Sequence, residues 1–170
     1  MRAEIYLTAY DPSQASDLFA LTEKNRCMLR KWVDWIDRVQ TVEDSRAFIH
    51  RQISNKHYVN FFIHHDSAMI GTVGVVGVGE CGTTAEIGYW LDEGMHGQGI
   101  MTWAVQKLIE EMRKRCERLK VVVLKCWDVN KGSQRVAEKC GFQYVETVKD
   151  DVERNGLVHF TRVYHYVIDK

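Results

Sequence analysis

A chain of 170 residues with 45% hydrophobic content, five Trp, seven Tyr and six Phe has the apolar and aromatic stock for a real core, which excludes a disordered chain. Its 23 basic and 23 acidic side chains cancel, so no net field draws it to nucleic acid or to an anionic membrane surface. Cys27, Cys81, Cys116, Cys126 and Cys140 are scattered without a C-x-x-C pair, which fits a reducing compartment better than a disulfide framework or a zinc site.

The first eleven residues lack the apolar core of a secretory signal, and charges interrupt every long apolar run. The expectation is a soluble, cytoplasmic protein without metal. One proline (Pro12) and no linker, repeat or low-complexity run predict a single domain over residues 1–170.

Residues 4–10 alternate and predict a strand. Asp11-Pro12 opens a helix, with Pro in its favoured first turn. Residues 27–36 predict a short aromatic helical piece with Trp32 and Trp35. Thr41 and Asp44 resemble a capping box, Asp replacing the usual Glu or Gln. Strands follow at 58–64 and 68–78 around a hairpin at His65-Asp66-Ser67, and again at 86–91. His64 and His65 are adjacent on a strand and face opposite ways, so they form no metal pair.

Residues 102–116 carry Ala104, Val105, Leu108, Ile109, Met112 and Cys116 at helical spacing. KVVVLKCW at 120–127 predicts a buried strand, and a helix from about Lys131 stops at Gly141. Strands at 142–148 and 158–168 close the chain around Asn155-Gly156, a tight-turn signal. The order predicts an α/β (α+β in some schemes) fold, a mixed and mainly antiparallel sheet flanked by helices. The strand–helix–strand unit from 86 to 127 should be parallel.

In EIGYWLDEGMHGQGIM, from Glu86 to Met101, a strand runs into a glycine-bearing loop and a long helix begins at once. Glycine lets backbone N–H groups approach an anion, and a helix N-terminus adds unpaired donors and a favourable dipole. Gly97-x-Gly99 alone also fits a plain turn. A Rossmann loop would need a third glycine where Thr102 stands, and a Walker A loop needs Gly-Lys-Ser/Thr, which is absent.

His96-Gly97-Gln98-Gly99-Ile100-Met101 resembles the pyrophosphate loop of the GNAT superfamily of N-acetyltransferases, Gln/Arg-x-x-Gly-x-Gly/Ala. It departs at His96 and at Met101, whose long side chain is expected to crowd the loop. Asn130-Lys-Gly-Ser133…Ala137-Glu-Lys139-Cys-Gly141-Phe142 resembles the family's later Asn-x-x-Ser/Ala…Glu-Lys-x-Gly-Phe segment. Arg30, Trp32, Trp35, Glu43-Asp44 and the Glu86-Ile-Gly-Tyr-Trp strand are similar to the RimJ/RimL branch, which acts on ribosomal proteins.

The resemblance implies acetyl-CoA as co-substrate, held by His96, Gly97, Gln98, Gly99, Ile100, Met101, Thr102, Asn130 and Ser133. Its thioester carbonyl would lie beside Tyr89, Trp90 and Leu91. The acceptor would be a primary amine, on a peptide N-terminus or a small molecule, with neither nucleic acid nor membrane as partner and a homodimer left open. Acyl transfer needs a neutral amine, a donor for the oxyanion and help for the departing thiolate. The family's usual tyrosine acid is replaced by Ala137, so the branch implies Ser133 for the thiolate. Glu86 is the first choice of base, with Glu153, Asp151 or a water relay behind it.

Plainer roles stay open beside these. Asn130 also suits a helix cap, Ser133 an ordinary first turn, Glu86 a structural ion pair, and Trp32 and Trp35 helix packing as well as an acceptor pocket with Arg30. A coenzyme-binding sensor or interaction module without turnover is the alternative function.

Overall fold

The computed structural model describes residues 4–154 and 157–168, and the side chains of 150–157 lie outside that description. The strands are β1 Ile5–Ala9, β2 Asn60–His65, β3 Ala68–Val78, β4 Thr84–Leu91, β5 Val121–Trp127, β6 Gln143–Arg154 and β7 Leu157–Val167. The helices are α1 Ala15–Lys24, α2 Arg26–Leu29, α3 Val42–Ser54, α4 Ile100–Arg115 and α5 Lys131–Lys139. Seven strands form one sheet in the order β1-β2-β3-β4-β5-β7-β6. β4 and β5 are parallel, as the helical crossover requires, and β1–β2, β2–β3, β5–β7 and β6–β7 are antiparallel. The expected mixed, mainly antiparallel α/β architecture is the observed one.

Two compact units divide the chain: residues up to Gly74 with Tyr89–Ile100, and Val75–Gly88 with the residues from Met101 on. In the first, Asp11 caps the Pro12–Gln14 3-10 turn that leads into α1, its Oδ1 accepting from Ser13 N at 2.8 Å. α1 buries Ala15, Leu18, Leu21 and Thr22 at helical spacing. Ala15, Leu18, Ile49 and Phe62 form one apolar cluster, and Met28, Leu29 and Ile36 a second. Trp90 packs against both.

The capping box of α3 is present. Thr41 Oγ1 accepts from Asp44 N, while Asp44 Oδ2 accepts from Thr41 N at 2.9 Å. The helical piece expected at 27–36 is instead broken into α2 and a 3-10 turn at Trp35–Arg38. Arg26 explains the break, because its guanidinium donates to Ile36 O (2.6 Å) and Val39 O and binds the returning chain back onto α2. Gly71 in β3 admits the neighbouring backbone, since a Cβ there would meet Trp90 O at 2.4 Å.

In the second unit α4 buries Ala104, Val105, Leu108, Ile109 and Met112, as its spacing predicts. Cys116 lies just past its end and is only half-buried. β5 corrects the expectation of a wholly buried strand. Val122, Leu124 and Cys126 are buried, while Lys125 is exposed and Val121, Val123 and Trp127 are intermediate, the alternation of a sheet covered more fully on one face. α5 ends at Lys139, and Gly141 just beyond it takes a φ of +85° that only glycine adopts readily, with Phe142 N donating to Ala137 O. β6 runs longer than expected, β7 keeps the expected length one residue earlier, and the predicted Asn155-Gly156 turn between them lies outside the described residues.

Candidate active site

β4 delivers the chain to the glycine loop. After Leu91, Asp92 N donates to Ile70 O at 2.7 Å, and Asp92 Oδ1 caps the 3-10 turn Glu93–Met95 through Gly94 N at 3.0 Å. The His96 ring Nε2 lies 2.9 Å from Leu91 O and bonds the loop back to the end of β4. Gly97 and Gly99 have φ of +76° and +78°, with no heavy atom within 4 Å of where a Cβ would stand. These glycines serve the backbone rather than a steric gap. Gln98 is exposed between them, and the 16-residue α4 begins at Ile100. An open, left-handed glycine loop running into a helix N-terminus, whose first N–H groups have no intrahelical acceptor, fits a pyrophosphate.

Ile100 and Met101 are 3% and 7% exposed. Met101 therefore buries its side chain. Thr102 is half-buried, its carbonyl accepting from Cys140 Sγ at 3.5 Å. Leu91 is buried; Tyr89 and Trp90 are half-buried. Trp32 and Trp35 pack with Trp90 on the Met28–Leu29–Ile36 cluster, and exposed Arg30 pairs through Nε with Asp37 at 2.8 Å.

In the second unit, Glu86 on β4 is half-exposed and its Oε2 lies 2.7 Å from Lys125 Nζ. Asn130 caps α5, its Oδ1 accepting from Ser133 N at 3.1 Å, with Ser133 half-buried in the first turn. Gln134, buried, donates to Asp128 O at 2.7 Å and fixes the turn from β5 into α5. Burial pushes the Cys126 and Cys140 thiols up to about 11, so neither supplies a thiolate near neutrality. The side chains of Glu153 and Asp151 lie outside the described residues.

The family profile for the acetyltransferase (GNAT) domain matches residues 4–143. The chain belongs to the GNAT acetyltransferase family. It is 31% identical to the ribosomal-protein-serine acetyltransferase of Escherichia coli (strain K12) over 96% of this chain and 92% of that one. Among solved structures, RimL, the ribosomal L7/L12 alpha-N-protein acetyltransferase in complex with coenzyme A, superposes with a TM-score of 0.90 at 29% identity, covering 97% of this chain and 94% of that one. The microcin C7 self-immunity acetyltransferase MccE, in complex with acetyl-CoA and AMP, superposes with a TM-score of 0.87 at 30% identity over 97% and 93%.

As a GNAT member the chain is an N-acetyltransferase. Within the first unit of this GNAT chain, Trp90, Trp32 and Trp35 share the Met28–Leu29–Ile36 cluster; within the second, Asn130 meets Ser133. Sequence reasoning missed the partner of Glu86, because a parallel register cannot be read from two separated strands. It also missed the contacts of Lys24 and Asn25, which a buried-looking Asn beside a Lys at the end of α1 could have flagged.

Proposed function

We propose that this GNAT enzyme transfers the acetyl group of acetyl-coenzyme A to a primary amine, with the N-terminus of a ribosomal protein as the first acceptor to try and small amines next. The observation that carries the reading is the open loop with left-handed Gly97 and Gly99 at the start of α4. Residues 1–170 act as one catalytic domain in the cytoplasm. Backbone N–H groups of His96–Thr102 hold the pyrophosphate, and Tyr89, Trp90 and Leu91 line the thioester end.

When bound, the coenzyme supplies an activated acyl thioester. The chain's own residues supply proton handling and orientation. Glu86 takes the proton of the acceptor ammonium, directly or through water, so that a neutral amine attacks; Glu153 is the second choice. Ser133, held in the first turn of α5 by the Asn130 cap, hydrogen-bonds the departing sulfur. Arg30, Trp32 and Trp35 shape the acceptor side, and the flat indole faces exclude water from it.

Thiol release from acetyl-coenzyme A, followed across N-terminal peptides and small amines, tests the reading. Turnover with an amine supports it. Tight coenzyme binding with no turnover on any amine would instead make the chain a coenzyme sensor or interaction module.

A further inference from the structure

Two polar side chains, Asn25 just past α1 and Asp92 just past β4, are buried and bonded to one another's segments. Asn25 is 4% exposed, and both polar atoms of its amide are engaged: Nδ2 donates to Leu21 O at 3.0 Å, and Oδ1 accepts from Glu93 N at 3.0 Å. Asp92, also 4% exposed, accepts from Lys24 Nζ at 2.5 Å and from Gly94 N at 3.0 Å. A buried carboxylate without such partners would be strongly unfavourable. Lys24 itself is two-thirds exposed, so its ammonium reaches inward from the surface for this contact.

These bonds converge on one short segment. Asp92 N is tied to Ile70 O, Met95 N to Asp92 O at 2.9 Å, and the His96 ring to Leu91 O. From Leu91 to His96 the backbone is therefore held on both sides, by the start of β3 and by the last turn of α1. Gly97 and Gly99 follow directly. Their left-handed φ values leave the loop little stiffness of its own, and a pyrophosphate cradle needs its N–H groups aimed before the ligand arrives. Within the loop, Gln98 Nε2 donates to Gly94 O only at a long 3.4 Å, whereas the segment upstream is tied by several shorter bonds.

We propose that Asp92 is a positioning residue for the coenzyme loop, gripped by Lys24 and backed by Asn25, so that the C-terminal end of α1 sets the aim of the pyrophosphate-binding backbone. This rests on the coenzyme reading of the loop given above. α1 is anchored in its turn by Ala15 and Leu18 in the apolar cluster, which gives the bracket a fixed base.

Lys24→Met takes the cation from Asp92 and leaves that carboxylate the Gly94 N–H, while Asp92→Asn removes the buried charge itself and keeps the test independent of a stranded carboxylate. Calorimetry with coenzyme A and steady-state kinetics with acetyl-coenzyme A are run on wild type, Lys24→Met, Lys24→Arg and Asp92→Asn, with thermal melts on each. Lys24→Met and Asp92→Asn should weaken coenzyme affinity and raise KM for acetyl-coenzyme A by about 10-fold, the scale of coupling between residues in one network. Their kcat should stay within about 2-fold of wild type, KM for the amine should not move, and Lys24→Arg should restore affinity. A folded Lys24→Met with wild-type affinity, or with only a lowered Tm, overturns the positioning role while leaving the coenzyme reading intact. Wild type that binds no coenzyme A overturns both.

Discussion

Glu86 Oε2 and Lys125 Nζ lie 2.7 Å apart, Lys125 standing two residues beyond Val123, the partner of Glu86 in the parallel β4–β5 register. Both side chains are partly exposed, and pairs of that kind contribute about 1 kcal/mol or less. The pair is therefore a poor reason, on stability grounds, for a carboxylate on this strand.

Glu86→Gln should accordingly lower Tm by no more than a few degrees, about what 1 kcal/mol gives in a domain of this size. Its effect on turnover should be larger. The limb of kcat/KM that rises with pH should flatten or shift in the variant, measured with a peptide N-terminus whose amine has a pKa near about 8. A limb that persists in Glu86→Gln and vanishes in Glu153→Gln would move the base to the later strand.

Gly99 adopts a φ of +78°, so a substitution there combines backbone strain with whatever its side chain adds. Asn and Asp tolerate this region about equally well. Gly99→Asp should abolish coenzyme binding by setting a carboxylate against the pyrophosphate. Gly99→Asn should retain far more affinity. Equal affinities for the two in calorimetry would show that charge at this loop is irrelevant, and the pyrophosphate assignment would fall.

Ser133 and Asn130 separate chemistry from capping. Ser133→Ala should lower kcat about 10-fold or more with KM little changed, as for an interaction made mainly in the transition state. Asn130→Ala removes the acceptor for Ser133 N and should cost about 1 kcal/mol of stability. An unchanged kcat in Ser133→Ala, with chemistry limiting turnover, returns the serine to a helix residue.

Acid should destabilise the fold in two stages. His64, 5% exposed with Nε2 at 2.9 Å from Thr8 Oγ1, has its pKa lowered by burial, opposed by the charge of Asp17. Its neutral form is the folded one, so its contribution is present above about pH 6.5 and is lost as pH falls through the depressed value. For Asp92, burial alone would raise the pKa; the hydrogen bonds from Lys24 and Gly94, the Lys24 charge and Asn25 outweigh it and lower the value. That contribution is present above about pH 3.9 and is lost as pH falls further. In Tm measured against pH, His64→Phe should remove the upper stage and Asp92→Asn should shrink the lower, which Asp11, Glu23, Asp44 and Glu111, also held below the usual carboxylate range, share. A Tm that ignores His64→Phe between about pH 7 and 5 contradicts the first assignment.

Local signals determined most of the elements. Asp11-Pro12, the Thr41/Asp44 box, the apolar stripe of α4 and Gly141 each act within a few residues of chain, where capping, periodicity and φ preference are settled by neighbours alone. The glycine loop and the Asn130–Ser133 segment were legible for the same reason, since their geometry is local and their spacing specific.

What depends on distant residues was not legible. The break between α2 and the Trp35–Arg38 turn follows from Arg26 binding carbonyls further along the chain. The burial of Met101, the pairing of Glu86 with Lys125 and the grip of Lys24 on Asp92 each need a strand register or a packing face fixed by the whole fold. The sequence alone determined the family, the strand and helix order and the glycine-bearing loop ahead of α4, because backbone conformation and short-range spacing carry them. The tertiary structure decided which charges meet, because salt bridges join residues that only the assembled sheet and its helices bring within a few ångströms of one another.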